Sequence, residues 1–125
     1  MRHWTTRFIV LATLAATTLL GGCHRPVSNL ATLQTVETEA RLLMATHPAE
    51  SSRYYTQVPQ NQWPAAIASL HPESVTVHTW GVDVLIKSYF DGGWGYHVAK
   101  QRRDLPMLGE CYSAVSKGVF WHGPC

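Results

Sequence analysis

The sequence predicts an α+β domain in which two N-terminal helices precede a small antiparallel sheet of three to five strands. Apolar residues recur at helical spacing between residues 30 and 44. From Ser74 onward, apolar and polar residues alternate instead, which is typical of half-buried strands. Two cysteines near the C-terminus can close a disulfide. We therefore expect one domain, spanning residues 30–125.

The first predicted helix follows Ser28 or Asn29, either of which can cap its N-terminus. His47-Pro48 ends the helical pattern. The helix has a single apolar stripe: Leu30, Leu33, Val36, Ala40, Leu43 and Met44. We expect this stripe to pack on the domain's own sheet. A partner helix or the membrane surface is the alternative, but the polar face lacks the Lys/Arg enrichment of an interfacial helix.

A second helix of two turns is predicted after Pro64, since proline suits a first helical turn. It places Trp63, Ile67 and Leu70 on one side and stops before Pro72. The intervening residues 49–62 are mostly polar and are predicted to form a loop. The two helices would thus be consecutive elements.

Alternation predicts the strands that follow. Val75 and Val77 lie on one strand, and Val82, Val84 and Ile86 lie on the next, after a turn near Trp80-Gly81. "DGGWG", residues 91–95, is predicted to be a turn because glycine permits positive φ. A third strand follows at residues 96–98 and a last one at 118–122, whereas residues 111–116 fit either a strand or a short helix.

Cys111 and Cys125 are expected to form a disulfide that ties the C-terminus to the domain. This pairing requires an oxidising compartment. The N-terminal segment described below predicts export of the chain to such a compartment. Two alternatives are a reactive Cys111 and an intermolecular bridge through Cys125.

The N-terminus has the layout of a secretory signal. Residues 1–7 contain two arginines and no acid, and thirteen predominantly apolar residues follow, Phe8 to Leu20. A bilayer-spanning helix needs roughly 20 apolar residues. Gly21-Gly22 then ends the run directly before Cys23.

Leu20-Gly21-Gly22-Cys23 resembles the lipobox of bacterial lipoproteins. The resemblance implies removal of residues 1–22, a diacylglycerol on the Cys23 thiol and acylation, such as palmitate, of its new amino group. Residues 23–29 would then be a lipidated tether. His24 stands where an aspartate retains enteric lipoproteins in the inner membrane, which implies the periplasmic face of the outer membrane. The alternative is an ordinary signal peptide that leaves Cys23 as a free thiol. Residues 63–86 also resemble small proteobacterial envelope proteins, from which no activity follows.

Charge and motifs exclude several functions. Arg2 and Arg7 account for the net charge of +2, so the mature chain is balanced and no nucleic-acid partner is predicted. HExxH, GxSxG, GxGxxG and P-loop motifs are missing from the sequence. We therefore predict no catalytic residue, no cofactor and no metal. His78, His97 and His122 are expected to be solvent-facing strand histidines, with a three-histidine zinc site as the alternative.

Aromatic side chains give the remaining functional signal. Trp80, Trp94, Tyr96 and His97 are predicted to form a binding surface near two turns, whereas Trp63 and Trp121 are assigned to the core. The sequence thus predicts a membrane-anchored, non-enzymatic protein-binding module. Its partner would be another envelope or secreted protein, either a component of an envelope machine or a target that it inhibits. The alternatives are a peptidoglycan binder that uses the turn aromatics and a small metal-dependent hydrolase.

Overall fold

A computed structural model describes residues 24–125, so the predicted signal peptide, the lipobox and Cys23 lie outside the described residues. Helix α1 (Leu30–Thr46) packs on an antiparallel sheet and on a short helix α2 (Ala65–Ser69). The six strands are β1 (Tyr55–Gln57), β2 (Ser74–His78), β3 (Val82–Tyr89), β4 (Gly92–Val98), β5 (Tyr112–Ser116) and β6 (Val119–His122). They lie in the order β1-β2-β3-β4-β6-β5.

The α+β class is confirmed, but two details of the prediction are wrong. The sheet has six strands instead of three to five, and β1 lies between the helices, which are therefore not a consecutive N-terminal pair. β1 falls in the segment predicted to be a loop. It has only three residues, too few to show an alternation, and it forms by pairing with β2 at the edge of the sheet.

Helix α1 is capped by Asn29, whose side-chain oxygen accepts a hydrogen bond from the Thr32 N–H at 3.1 Å. Its buried residues are Leu33, Val36, Ala40 and Leu43. The prediction that the stripe packs on the domain's own sheet is confirmed for these four residues and for the partly buried Met44, whereas Leu30 is 55% exposed and lies outside the core. The Glu39 carboxylate accepts the Ala66 and Ile67 N–H groups at 3.0 and 2.9 Å, which fixes the start of α2 against α1.

The turn between β3 and β4 lies at Phe90-Asp91, so only Asp91 of the predicted turn at residues 91–95 belongs to it. The glycines of this segment belong to β4 instead. A Cβ on Gly93 would lie 2.2 Å from the Lys87 carbonyl oxygen, and the pairing of β3 with β4 is irregular between Leu85 and Lys87. Glycine is required here because the two backbones approach closely.

Both faces of the sheet are covered in its central part. The helix-facing side carries the main core: Val75, Val77, Val82, Val84, Tyr96, Val98 and Val119. On the opposite, outer side a second cluster contains Ala99, Leu105, Tyr112 and Phe120. Arg102 donates hydrogen bonds to the carbonyl oxygens of Gly109 and Tyr112, at 2.9 and 3.0 Å. These bonds close the segment 99–111 over the outer face.

The predicted disulfide between Cys111 and Cys125 is confirmed, with 5.9 Å between the two Cα atoms. It attaches the C-terminal residues to the start of β5. Among residues 24–125, no helix has the length and apolar character needed to cross a bilayer.

Candidate functional site

A cavity of about 590 Å³ opens on the outer face of the sheet. The β3–β4 hairpin tip, residues 89–91, lines one side, and Gly123, Pro124 and Cys125 line another. Asp83, His97 and His122 line it together. Its volume lies within the range of pockets that hold small ligands, roughly 300–1,000 Å³.

Strand register brings these three polar side chains together. Asp83 on β3 lies directly opposite His97 on β4. His122 on β6 lies opposite Gly95, two residues before His97 on the same strand face. Gly95 has no side chain to separate the two imidazoles, and their ring centroids are 4.1 Å apart. A direct cross-strand pair and a diagonal neighbour thus form one polar cluster.

The potential ligand atoms of Asp83, His97 and His122 all lie within 4.8 Å of one another. His97 Nε2 is 3.4 Å from Asp83 Oδ1, yet these two atoms do not form a hydrogen bond. The other ring nitrogen, His97 Nδ1, is 2.7 Å from the buried Tyr112 hydroxyl. Burial raises the pKa of Tyr112, so this residue stays a neutral phenol. Tyr112 therefore fixes the orientation of the His97 ring.

His122 is only 6% exposed. Its contacts bear on which ring nitrogen carries the hydrogen. Its Nδ1 lies 3.3 Å from the Gly123 carbonyl oxygen. In the tautomer that donates to this carbonyl, Nδ1 carries the hydrogen and Nε2 keeps a free lone pair. Burial, and then the nearby His97, lower the pKa of His122, which favours the neutral ring.

Two buried side-chain nitrogen or oxygen atoms in the described part of the chain have no hydrogen-bond partner, and both belong to this cluster. They are Asp83 Oδ1 and His122 Nε2. Buried polar groups without partners are rare in folded proteins, and each one costs about 1–3 kcal/mol. Two nitrogen donors and one carboxylate that converge in this way could hold a divalent cation.

The prediction that the strand histidines face solvent is wrong for His97 and His122, both of which are 6% exposed. The covering segment 99–111 and the aromatic cluster around Phe120 exclude solvent from them. His78 is half-buried and stacks on Trp80, with 5.0 Å between the ring centroids. Burial lowers the pKa of His78. The nearby Asp83 has a smaller effect that raises this pKa, and His97 has a smaller effect that lowers it further.

Sequence reasoning missed Asp83 and Tyr112 as members of the site. One available signal was the apolar pair Leu105 and Met107, directly after the charged residues 100–104, since apolar residues in a connecting segment indicate that it covers something. Another was Phe120, which shares the strand face of His122 and would leave an aromatic ring in solvent if that face were open.

The predicted aromatic binding residues do not form one surface. Tyr96 is 1% exposed within the helix-facing core, and its hydroxyl oxygen accepts a hydrogen bond from the Val27 N–H at 2.7 Å. Trp94 lies on the same strand face as Tyr96 and contacts the His24 ring, 4.8 Å between centroids. Trp80 instead packs on His97, which lies on the outer face, 4.6 Å between centroids. The sheet thus separates Trp80 and His97 from Trp94 and Tyr96.

The hairpin tip presents two aromatic residues that sequence reasoning did not select. Tyr89 is 50% exposed and Phe90 is 89% exposed. Phe90 has a φ of +52°, a left-handed conformation that costs a non-glycine residue about 1–2 kcal/mol. Both side chains lie at the cavity. A strained, exposed aromatic residue beside a concave site indicates a functional position.

Comparison with protein-family models, with curated proteins and with solved structures finds no match to this chain.

Proposed function

We propose that this chain is a lipid-anchored lipoprotein of the bacterial outer membrane that acts as a non-enzymatic protein-binding module. The lipid is attached at Cys23, and the domain faces the periplasm. Its contact surface is the outer-face cavity together with the aromatic hairpin tip at residues 89–90. The partner is another envelope or secreted protein that inserts a side chain or a loop into this cavity.

The observation that supports this proposal best is the position of Phe90. It is the most exposed of the large apolar side chains in the described residues, it occupies a strained backbone position, and it borders the cavity. Aromatic side chains are enriched among residues that dominate protein–protein binding energy, especially beside a pocket that excludes water.

The glycan alternative has weaker support. It requires Trp80, Trp94 and Tyr96 to offer stacking faces to one sugar chain. Tyr96 is buried, and the sheet separates the two tryptophans. We therefore favour a protein partner.

Replacing Cys23 with serine tests the anchor. Serine cannot form the thioether to diacylglycerol, so we expect Cys23→Ser to move the protein from the membrane fraction to the soluble periplasm. Fractionation and intact-mass measurement of the purified chain check this. A lipid-sized mass increase on the wild type, absent from the variant, is the expected result. An unmodified wild-type chain recovered in the soluble fraction would refute lipid anchoring.

Replacing Phe90 with asparagine tests the contact surface. Asparagine tolerates positive φ, so the variant removes the ring and keeps the turn. We expect Phe90→Asn to reduce recovery of the partner at least about tenfold when the full-length lipoprotein is purified from detergent-solubilised membranes, because hot-spot residues contribute about 2 kcal/mol or more. Quantitative mass spectrometry of co-purified proteins measures the change.

Tyr54→Asn is the matched control. Tyr54 is also exposed, aromatic and left-handed, with a φ of 65°, but it lies next to β1 at the far edge of the sheet. Its replacement is expected to leave partner recovery unchanged. Equal recovery with wild type and Phe90→Asn would argue against the hairpin surface, and equal loss with both variants would indicate non-specific hydrophobic capture.

A further inference from the structure

We propose that Asp83, His97 and His122 form a binding site for a divalent transition-metal ion of the zinc type. The site lies in the outer-face cavity and comprises two imidazole nitrogens and one carboxylate. This assignment goes beyond the proposed protein-binding function and does not depend on it.

The ligand geometry fits such an ion. Zinc binds histidine nitrogen and carboxylate oxygen at about 2.0–2.2 Å, so neighbouring ligands around a tetrahedral ion are about 3.3 Å apart. His97 Nε2 and Asp83 Oδ1 are 3.4 Å apart and lack the alignment of a hydrogen bond. One ligand atom from each of Asp83, His97 and His122 lies within 4.8 Å of the other two.

The surroundings orient each imidazole for coordination. A ligating histidine donates its second ring N–H to a nearby oxygen, which fixes the ring and its tautomer. Gly123 supplies a carbonyl oxygen for His122 Nδ1, and the Tyr112 hydroxyl oxygen lies 2.7 Å from His97 Nδ1. His97 Nε2 faces Asp83 Oδ1, and His122 Nε2 is buried without a hydrogen-bond partner. The site thus has the outer partners that metal-binding histidines require.

A bound cation would also resolve the unfavourable feature of the cluster. Asp83 Oδ1 and His122 Nε2 are buried lone-pair donors without a hydrogen-bond partner, and a metal ion satisfies both at once. The alternative, a purely structural polar network, leaves these two atoms unsatisfied. Two imidazoles with one carboxylate suit zinc and its neighbours in the first transition row better than calcium or magnesium, which prefer oxygen ligands.

The location in the cavity predicts how the coordination shell is completed. Three protein ligands leave one or more positions for an external donor, as in zinc sites that are not purely structural. All three ligands line the cavity, so these positions are accessible from it. Water or a donor atom from a bound molecule can occupy them.

Zinc binding to the full-length lipoprotein in detergent tests this site. The protein is treated with a chelator, dialysed and titrated with Zn²⁺, and bound metal is counted by elemental analysis after equilibrium dialysis. We expect one Zn²⁺ per chain. His122→Gln and Asp83→Asn are expected to weaken binding at least about tenfold, since even the loss of a group that only orients a ligand weakens metal binding by about 10–100-fold. His71→Asn, which removes an exposed histidine with a φ of 52°, should bind like the wild type.

A measurement on the wild type alone covers the case in which a variant does not fold. Co²⁺ in place of Zn²⁺ should give the visible absorption of a low-symmetry protein site, and Zn²⁺ should displace it. Circular dichroism checks the fold of each variant. A wild type that binds no stoichiometric Zn²⁺, Co²⁺ that keeps its aqueous spectrum, or a folded His122→Gln variant with unchanged affinity would each overturn the proposal.

Discussion

Replacing both Cys111 and Cys125 with alanine is expected to lower the free energy of unfolding by about 3 kcal/mol, the chain-entropy value for a loop of this length. The two residues are 14 positions apart in the sequence. The physical reason is that the disulfide restricts the unfolded chain, whereas the pairing of β5 with β6 remains in the folded state. Such a loss is a large share of the 5–15 kcal/mol that stabilises a typical domain.

Urea unfolding of the oxidised wild type and the double variant, followed by tryptophan fluorescence, measures this difference. Reduction of the wild type with a thiol reagent is the control and should produce the same loss. The disulfide also holds Gly123, Pro124 and Cys125 at the cavity, so the backbone amides of Gly123 and of residue 125 should exchange faster in the variant. Identical unfolding midpoints would show that the bridge contributes nothing to stability.

Replacing Gly81 with alanine is expected to destabilise the domain by a similar amount, about 3 kcal/mol. Gly81 closes the tight turn between β2 and β3, where its carbonyl oxygen accepts a hydrogen bond from the His78 N–H at 2.7 Å. Its φ is +157°, and an added Cβ would lie 2.1 Å from the Val98 carbonyl oxygen. The methyl group must therefore push β4 away or distort the turn.

Gly109→Ala is the matched control for this prediction. Gly109 lies in the segment 99–111, and a Cβ there would meet only the Arg102 side chain, at 3.9 Å. We expect a change below about 0.5 kcal/mol, as for ordinary surface substitutions. Thermal unfolding of the two variants side by side gives the comparison. A Gly81→Ala protein as stable as Gly109→Ala would mean that the backbone at residue 81 adapts freely.

Local patterns in the sequence were sufficient to predict the helices and strands that bury one face. The apolar stripe predicted from Leu30 to Met44 identified α1, and the valines of β2 and β3 identified their strands, because burial on one side imposes a fixed spacing. The disulfide followed from the cysteine count together with the predicted secretory signal. β1 was missed because its three residues acquire strand structure only through pairing with β2.

The polar cluster could not be predicted because it depends on contacts between distant segments. His122 reaches His97 only because β6 lies between β4 and β5 in the sheet. The burial of both histidines depends on the segment 99–111, whose position over the sheet is fixed by Arg102. The glycines after the hairpin turn were assigned to the turn itself for a related reason. They allow the backbones of β3 and β4 to approach closely, which a single sequence does not reveal.

The N-terminal segment determines how the domain would sit on a bilayer. Val27 is hydrogen-bonded to Tyr96 and the His24 ring packs on Trp94, so the chain is fixed from its first described residue. Cys23 directly precedes His24 in the sequence. With a lipid on Cys23, almost no flexible linker would separate the domain from the membrane. Trp94 would then lie at headgroup level, where tryptophan is favoured. Tyr89 packs on Trp94, so the hairpin tip would lie there too. A partner that enters the cavity must then approach along the membrane surface, which favours a membrane-associated protein over one that diffuses through the periplasm.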